Sequence, residues 1–205
     1  MGEVLVVDTG VANIASMLAA LRRAGSEPRL TTRPREVADA DALVLPGVGA
    51  YRAGMEALRR SELIAPLRDR LAEGRPTLAV CLGLQFLCEG SEEADGVEGL
   101  GIVEGYAERF DASVRVPQLG WNHLRPAAGS RLLADGYAYF ANSYRLRTAP
   151  EGWGVAQADY SGPFIAAMER GDVLACQFHP ELSGRFGREL IARWLKRPAQ
   201  GGASC

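Results

Sequence analysis

Short, continuous apolar runs alternate with stretches of helical periodicity through the first half of the chain, and this alternation restricts the fold more than any other feature. Residues 4–7 form an unbroken apolar run closed by Asp8-Thr9-Gly10, the pattern of a strand buried on both faces. Ile14, Met17, Leu18 and Leu21 then recur at helical spacing up to Gly25, a residue suited to the position just past a helix. Residues 28–32 and 42–45 read as the second and third strands, the third running into Pro46-Gly47-Val48-Gly49. Helical patterning returns from residue 51 to about residue 73, with a break near Ser61, before a fourth strand at 77–80 and a helix that starts at Gly83. Strands joined through helices need right-handed crossovers, so the expected fold is α/β, flavodoxin-like, with a doubly wound, mostly parallel sheet and helices on both faces.

The second half reads differently. From 100 to 168 strand-like segments dominate, separated by Ala127-Ala128-Gly129-Ser130, Asp135-Gly136 and Ser161-Gly162-Pro163, which predicts antiparallel strands appended to the sheet. Tyr137-Ala138-Tyr139-Phe140 alternates as a half-buried strand does. A strand at 173–178 and a helix at 186–195 close the pattern. Residues 1–196 are expected to form a single domain, and the Gly- and Pro-containing segment 197–205 a disordered tail.

Composition removes several function classes. The 205 residues carry a formal net charge of -2, which draws the surface toward neither nucleic acid nor an anionic membrane. No apolar run approaches the roughly 20 residues of a membrane span. The N-terminal Met1-Gly2-Glu3 lacks the basic region of a secretory signal, so a cytoplasmic location is expected. The four cysteines, Cys81, Cys88, Cys176 and Cys205, are irregularly spaced and accompanied by two histidines, which argues against a structural zinc site or a disulfide framework. With no G-x-x-x-x-G-K loop either, no metal, nucleotide or other cofactor is expected.

Chemistry concentrates at Cys81. In Thr77-Leu78-Ala79-Val80-Cys81-Leu82-Gly83-Leu84-Gln85 an apolar strand must turn sharply into a helix at the cysteine, and small residues stand two positions away on either side, Ala79 and Gly83. This is the layout of a nucleophile elbow. It presents the sulfur at the carboxyl end of the sheet and at a helix N-terminus, which favours the thiolate. Burial alone would also explain a cysteine here.

A thiol nucleophile needs a base, and the base an orienting group. His179 follows the apolar run 173–178 and precedes Pro180-Glu181. Proline pushes its predecessor toward extended geometry, in which residues two apart point the same way, so His179 and Glu181 can lie side by side. A satisfied surface histidine would show the same three residues. His123, after Gly120-Trp121-Asn122 and with no flanking acid, reads as structural or peripheral. The glycines of Pro46-Gly47-Val48-Gly49 let the backbone approach a ligand and aim N–H groups at it, although a plain strand-to-helix turn is also glycine-rich.

Pro46-Gly47-Val48-Gly49, Cys81-Leu82-Gly83-Leu84-Gln85 and Gln177-Phe178-His179-Pro180-Glu181 resemble, in order, the signature blocks of class I, triad-type glutamine amidotransferases, and the likeness covers nearly the whole chain. Pro117-Gln118-Leu119-Gly120-Trp121-Asn122, Tyr139-Phe140-Ala141-Asn142-Ser143-Tyr144 and Asp8-Thr9-Gly10-Val11-Ala12-Asn13 are similar to segments of the glutaminase subunits of imidazole glycerol phosphate synthase, from histidine biosynthesis. The resemblance implies that Cys81 attacks the glutamine amide to form a glutamyl thioester, that His179 shuttles the proton and that Glu181 orients it. It implies an oxyanion hole from the N–H groups of Val48 or Gly49 and of Leu82, with Gln85, Ser143 and Tyr144 holding the amino-acid end of the substrate. It also implies a heterodimer with a (β/α)8-barrel cyclase, which turns the ammonia into imidazole glycerol phosphate and AICAR, with Trp121 and Asn122 near the interface.

Four positions depart from the pattern of such subunits: Ala79 where glycine is common, Asn142 for a frequent histidine, Leu182 for a frequent Lys or Arg, and Arg145 for an aromatic or small residue. None is in the triad. The alternatives are a glutaminase serving another synthase, of the anthranilate or aminodeoxychorismate type, and a non-catalytic scaffold. Glu92-Glu93 and Arg22-Arg23 read as solvated faces.

Overall fold

The computed structural model describes residues 3–10 and 14–196. The expectations for the tail 197–205 and for the Val11-Ala12-Asn13 part of the N-terminal block lie outside the described residues.

The first half contains β1 (Val4–Val7), α1 (Ile14–Arg23), β2 (Pro28–Thr31), α2 (Pro34–Asp39), β3 (Ala42–Gly47), α3 (Tyr51–Arg60), α4 (Ile64–Ala72), β4 (Thr77–Cys81) and α5 (Leu82–Phe86). The second half adds β5 (Gly90–Ser91), β6 (Tyr106–Arg109), β7 (Gln118–Pro126), β8 (Gly136–Asn142) and β9 (Tyr144–Arg145). It closes with β10 (Gly154–Asp159), β11 (Pro163–Arg170), β12 (Val173–Cys176), a 3₁₀ turn (Pro180–Leu182) and α6 (Gly184–Leu195). A nine-stranded sheet runs β2-β1-β3-β4-β12-β11-β10-β7-β8. Pairing is parallel from β2 through β12 and antiparallel from β12 to β8, as the two halves of the sequence predict. A small sheet, β5-β6-β9, lies apart from it.

The central parallel strands β1, β3, β4 and β12 are buried at every position and almost wholly apolar because helices cover both of their faces, whereas the edge strand β2 exposes Arg29 and Leu30. Leu5, Val7, Leu43 and Leu45 join Val37, Met55, Leu58, Leu67 and Leu71 in one core. Val4, Val6 and Val44 point the other way, onto Met17 and Leu21 of α1 and Leu190 and Trp194 of α6. Helix α1 stops where its sequence says it should. Gly25 takes φ 88°, and the N–H groups of Gly25 and Ser26 donate to the carbonyls of Arg22 and Leu21 at 2.9 and 3.1 Å, a Schellman closure.

Helix α2 has no counterpart in the sequence reading. It spans six residues with Val37 its one buried side chain, too little for a periodic apolar signal, and it starts from an extended Arg33 with Pro34 in its first turn. Strand β12 ends at Cys176, two residues earlier than expected, and the chain leaves the sheet there to form the turn that carries His179.

Candidate active site

Strand β4 ends on Cys81, which adopts φ 54° and ψ -109°, a conformation an L-residue takes only under constraint. The constraint is packing from β3. Gly47 is in register with Cys81, and a Cβ on it would meet Leu82 Cβ and Gly83 N at 2.6 Å. A Cβ on Gly83 would collide with the Leu45 carbonyl, and Ala79 is fully buried. The small residues on both sides of the cysteine are therefore a steric requirement of the elbow. Helix α5 is only five residues long, so it offers Cys81 first-turn N–H groups more than a macrodipole.

Strand β12 lies beside β4, and the chain leaving it carries His179 back over the elbow. His179 Nδ1 is 2.8 Å from Glu181 Oε1, and both side chains are 6% exposed. The pairing was expected from an extended chain. Only His179 is extended (φ -100°, ψ 96°); Glu181 sits inside the 3₁₀ turn, whose closing bond from Leu182 N to His179 O (3.1 Å) swings the carboxylate beneath the ring. With Nδ1 on Glu181, Nε2 remains for Cys81. Burial opposes a charge on the ring, but hydrogen bonding to Cys81 and to Glu181 outweighs it, and the His179 pKa is pushed up to about 10. The surroundings thus favour the imidazolium form of the ring beside the sulfur. Burial pushes the thiols of Cys88, to about 12, and of Cys176 up instead, which leaves both unreactive.

A residue the sequence did not single out locks this turn. The Ser183 hydroxyl accepts the Tyr139 N–H at 2.9 Å and donates to the His179 carbonyl at 2.6 Å, while His179 N donates to the Tyr139 carbonyl at 2.9 Å. Ser183 is 1% exposed.

A cleft of about 380 Å³ opens over Cys81 and His179, and Val48, Gly49, Leu82, Gln85, Ser143 and Tyr144 line it, so the expected site residues converge. Glu93, Arg109, Ala141 and Asn142 line it too and were not read as site residues. Of the Glu92-Glu93 pair, Glu92 is exposed as expected, but Glu93 is half-buried and turned to the cleft. Glu93 Oε1 accepts the Tyr51 N–H (3.1 Å) at the start of α3, just past the Val48-Gly49 loop, and Glu92 Oε2 accepts the Arg109 N–H at 2.7 Å. The local signal for Glu93 was its place downstream of the elbow helix, but only the fold returns it to the cleft.

The family described as "Glutamine amidotransferase class-I" matches residues 5–197. The chain belongs to the class I glutamine amidotransferases. It is 41% identical over 203 residues to "Imidazole glycerol phosphate synthase subunit HisH" of Deinococcus radiodurans, covering 96% of this chain and 94% of that protein. It is 40% identical over 199 residues to the same subunit of Escherichia coli K12, covering 95% and 99%. "Imidazole glycerol phosphate synthase hisHF, chloroplastic" of Arabidopsis thaliana is 38% identical over 215 residues, covering 98% of this chain but 36% of that protein. Among solved structures, a glutamine amidotransferase (TM-score 0.75, 24% identity, 94% and 96% coverage) and PurLQS from Thermotoga maritima (TM-score 0.74, 18% identity, 95% and 98% coverage) share the fold.

The departures from the amidotransferase pattern of HisH-type subunits now have places. Arg145 is fully buried, pairs with Asp111 at 2.9 Å, donates to the carbonyls of Tyr160 and Ser161, and stacks 4.7 Å over the Phe110 ring. It ties three segments together behind the cleft. Asn142 is 4% exposed and donates to the Tyr144 carbonyl at 3.0 Å, which supports the Ser143-Tyr144 segment from within. Leu182, by contrast, is 43% exposed.

The segment after Leu182 runs beside an apolar face, with Gly184 against the Trp121 ring. Leu119, Trp121 and Tyr137 are strongly exposed on the outer side of the β7–β8 hairpin, where Trp121 pairs with Tyr139 and packs edge-on against it. Asn122 does not share this face. It points to the opposite side of β7 and donates to the Asp159 carbonyl at 2.8 Å, so it braces β7 against β10. His123 has an acidic partner after all, Asp135 at 2.9 Å, supplied by the loop before β8 and not by its own flank. No helix of the described residues is long and apolar enough to cross a membrane.

Proposed function

We propose that this chain is the glutaminase subunit of an imidazole glycerol phosphate synthase, with Cys81 as nucleophile, His179 as proton carrier and Glu181 as its orienter. The observation that carries the reading is the strained Cys81 elbow facing a buried His179–Glu181 pair at the floor of one cleft.

The Cys81 thiolate attacks the side-chain amide carbon of glutamine. The oxygen, now negative, is met by the backbone N–H groups of Val48 or Gly49 and of Leu82. As the carbon–nitrogen bond breaks, the His179 imidazolium gives its proton to the leaving nitrogen, and ammonia and a glutamyl thioester result. Thioester formation removes the negative sulfur that helped hold the proton on His179, so the ring stays neutral and becomes the base for the second half. It takes a proton from water as the oxygen attacks the thioester, glutamate leaves, and the thiolate–imidazolium pair is restored. Glu93 and Arg109 offer opposite charges to the ammonium and carboxylate of the substrate, with Gln85, Ser143 and Tyr144 around them.

Ammonia then passes to a separate (β/α)8-barrel cyclase, which forms imidazole glycerol phosphate and AICAR in the cytoplasm, with residues 1–196 acting as one catalytic domain. The match to little more than a third of a longer Arabidopsis relative supports a glutaminase that works joined to another unit. The Leu119-Trp121-Tyr137 face is the surface for that partner, since exposed apolar groups of this size mark docking sites.

Glutamate release from glutamine by the purified chain, with and without a barrel cyclase and its nucleotide ligand, tests the reading. Weak activity alone and strong stimulation by the cyclase, both absent in Cys81→Ala, are expected. Activity that survives the substitution, or that ignores the cyclase, overturns it.

A further inference from the structure

Behind Cys81 lies a buried amide that the mechanism above does not use. Gln177 directly follows β12 and is fully buried, its backbone N–H bonded to the Ala166 carbonyl of β11 at 2.8 Å. The orientation of its side-chain amide follows from its neighbours. The Tyr144 carbonyl can only accept, so the Gln85 atom 3.4 Å from it is the nitrogen, Nε2. That same Nε2 is 3.2 Å from the Gln177 amide and must meet an oxygen there. The Gln177 nitrogen is thereby turned toward Cys81, with Nε2 to Sγ at 3.8 Å. An N–H aimed at sulfur is a far better match for a thiolate than for a thiol.

The other end of this chain is buried at the wall of the cleft, which Gln85 helps to line. Gln85 is 3% exposed, and its Oε1 has no hydrogen-bond partner. A donor on the substrate that meets Oε1 polarises the Gln85 amide, which strengthens its N–H toward Gln177 and, in turn, the Gln177 N–H toward the sulfur.

We infer that Gln177 is a catalytic residue that holds Cys81 as the thiolate and connects it, through Gln85, to the occupied substrate site. The inference rests on Cys81 being the nucleophile. The titratable and charged groups around Sγ are His179, with Glu181 behind it, and Glu93, Arg109 and Tyr144 in the same cleft, and the substitutions below change none of them.

The test is alkylation of Cys81 by iodoacetamide across pH 5–10 in the full chain, read at that residue by peptide mass spectrometry. Gln177→Met keeps the bulk and removes the donor. Gln177→Glu keeps the acceptor for Gln85 and also loses the N–H, and it serves if the methionine variant fails to fold. Both are expected to move the midpoint of the alkylation profile up by about one pH unit, an approximately tenfold loss of rate on the acid side of the profile. Gln85→Leu is expected to move it in the same direction, with no further movement in the Gln177→Met background. Profiles that overlay that of the wild type overturn the inference, as does full additivity of the Gln85 and Gln177 effects for the connection to the substrate site. Alkylation needs no turnover, so these outcomes stand apart from the glutaminase assay, in which an active Cys81→Ala would instead remove the nucleophile itself.

Discussion

The His179 N–H donates to the Tyr139 carbonyl at 2.9 Å, which bonds the turn that carries the proposed base directly to an edge strand of the large sheet. Tyr139 belongs to the hairpin whose outer face carries Trp121, so the proposed docking surface and the proposed base are one hydrogen bond apart. Ser183 completes the link by accepting from Tyr139 N–H and donating to the His179 carbonyl. Ser183→Ala leaves the Tyr139 N–H buried and unpaired, at about 1–3 kcal/mol, while the His179 carbonyl keeps only the Leu182 N–H. The expected result is a lower unfolding midpoint in urea together with a fall in kcat and little change in KM. An unchanged kcat would mean that the turn holds its geometry without the hydroxyl.

Protonated His179 should also contribute to stability. Its pKa rises from an ordinary 6.5 to about 10 because hydrogen bonds to Cys81 and Glu181 overcome the burial that lowers it. A raised value means that the folded state binds the proton more tightly than the unfolded chain. The contribution is complete below about pH 6.5, shrinks as pH rises, and is gone above about pH 10. Urea unfolding of wild type and His179→Gln between pH 6 and 10.5 is expected to show a stability difference that falls across this window. A difference independent of pH would contradict it.

Gly83→Ala should damage the elbow without touching a reacting group. The added methyl collides with the Leu45 carbonyl, and backbone from a central strand yields poorly. Overpacking of this kind costs about 1–3 kcal/mol. A lower thermal midpoint and at least a tenfold drop in glutaminase activity are expected from calorimetry and glutamate assays. Wild-type values for both would mean that β3 and α5 can separate here.

Trp121→Ala tests the docking face. A central exposed tryptophan typically carries about 2 kcal/mol or more of an interface, roughly a thirtyfold change in Kd. Titration of the cyclase by calorimetry is expected to show that loss, with glutamate release recovering at saturating cyclase. Unchanged affinity would move the interface elsewhere.

The strand and helix order was legible because the central parallel strands are nearly pure apolar runs and each long helix has its own apolar stripe. Cys81 stood out because its constraints, Ala79 and Gly83, are local. His179 and Glu181 were found for a partly wrong reason: the pair is real, but a 3₁₀ turn makes it and not an extended chain. Asn122 projects from the opposite side of β7 to Trp121, as strand alternation alone requires. Ser183, Gln177 and Glu93 were not recognised as site residues because their partners lie 44, 96 and 42 residues away, and only the fold brings them together.

The most direct test of the account is covalent. A glutamine-like diazoketone, offered to the full chain in complex with the cyclase and followed by peptide mass spectrometry, should modify Cys81 stoichiometrically, be blocked by excess glutamine, and leave Cys88 and Cys176 untouched. Modification at another residue, or none at Cys81 while glutaminase activity persists, would contradict the assignment of the nucleophile and the mechanism built on it.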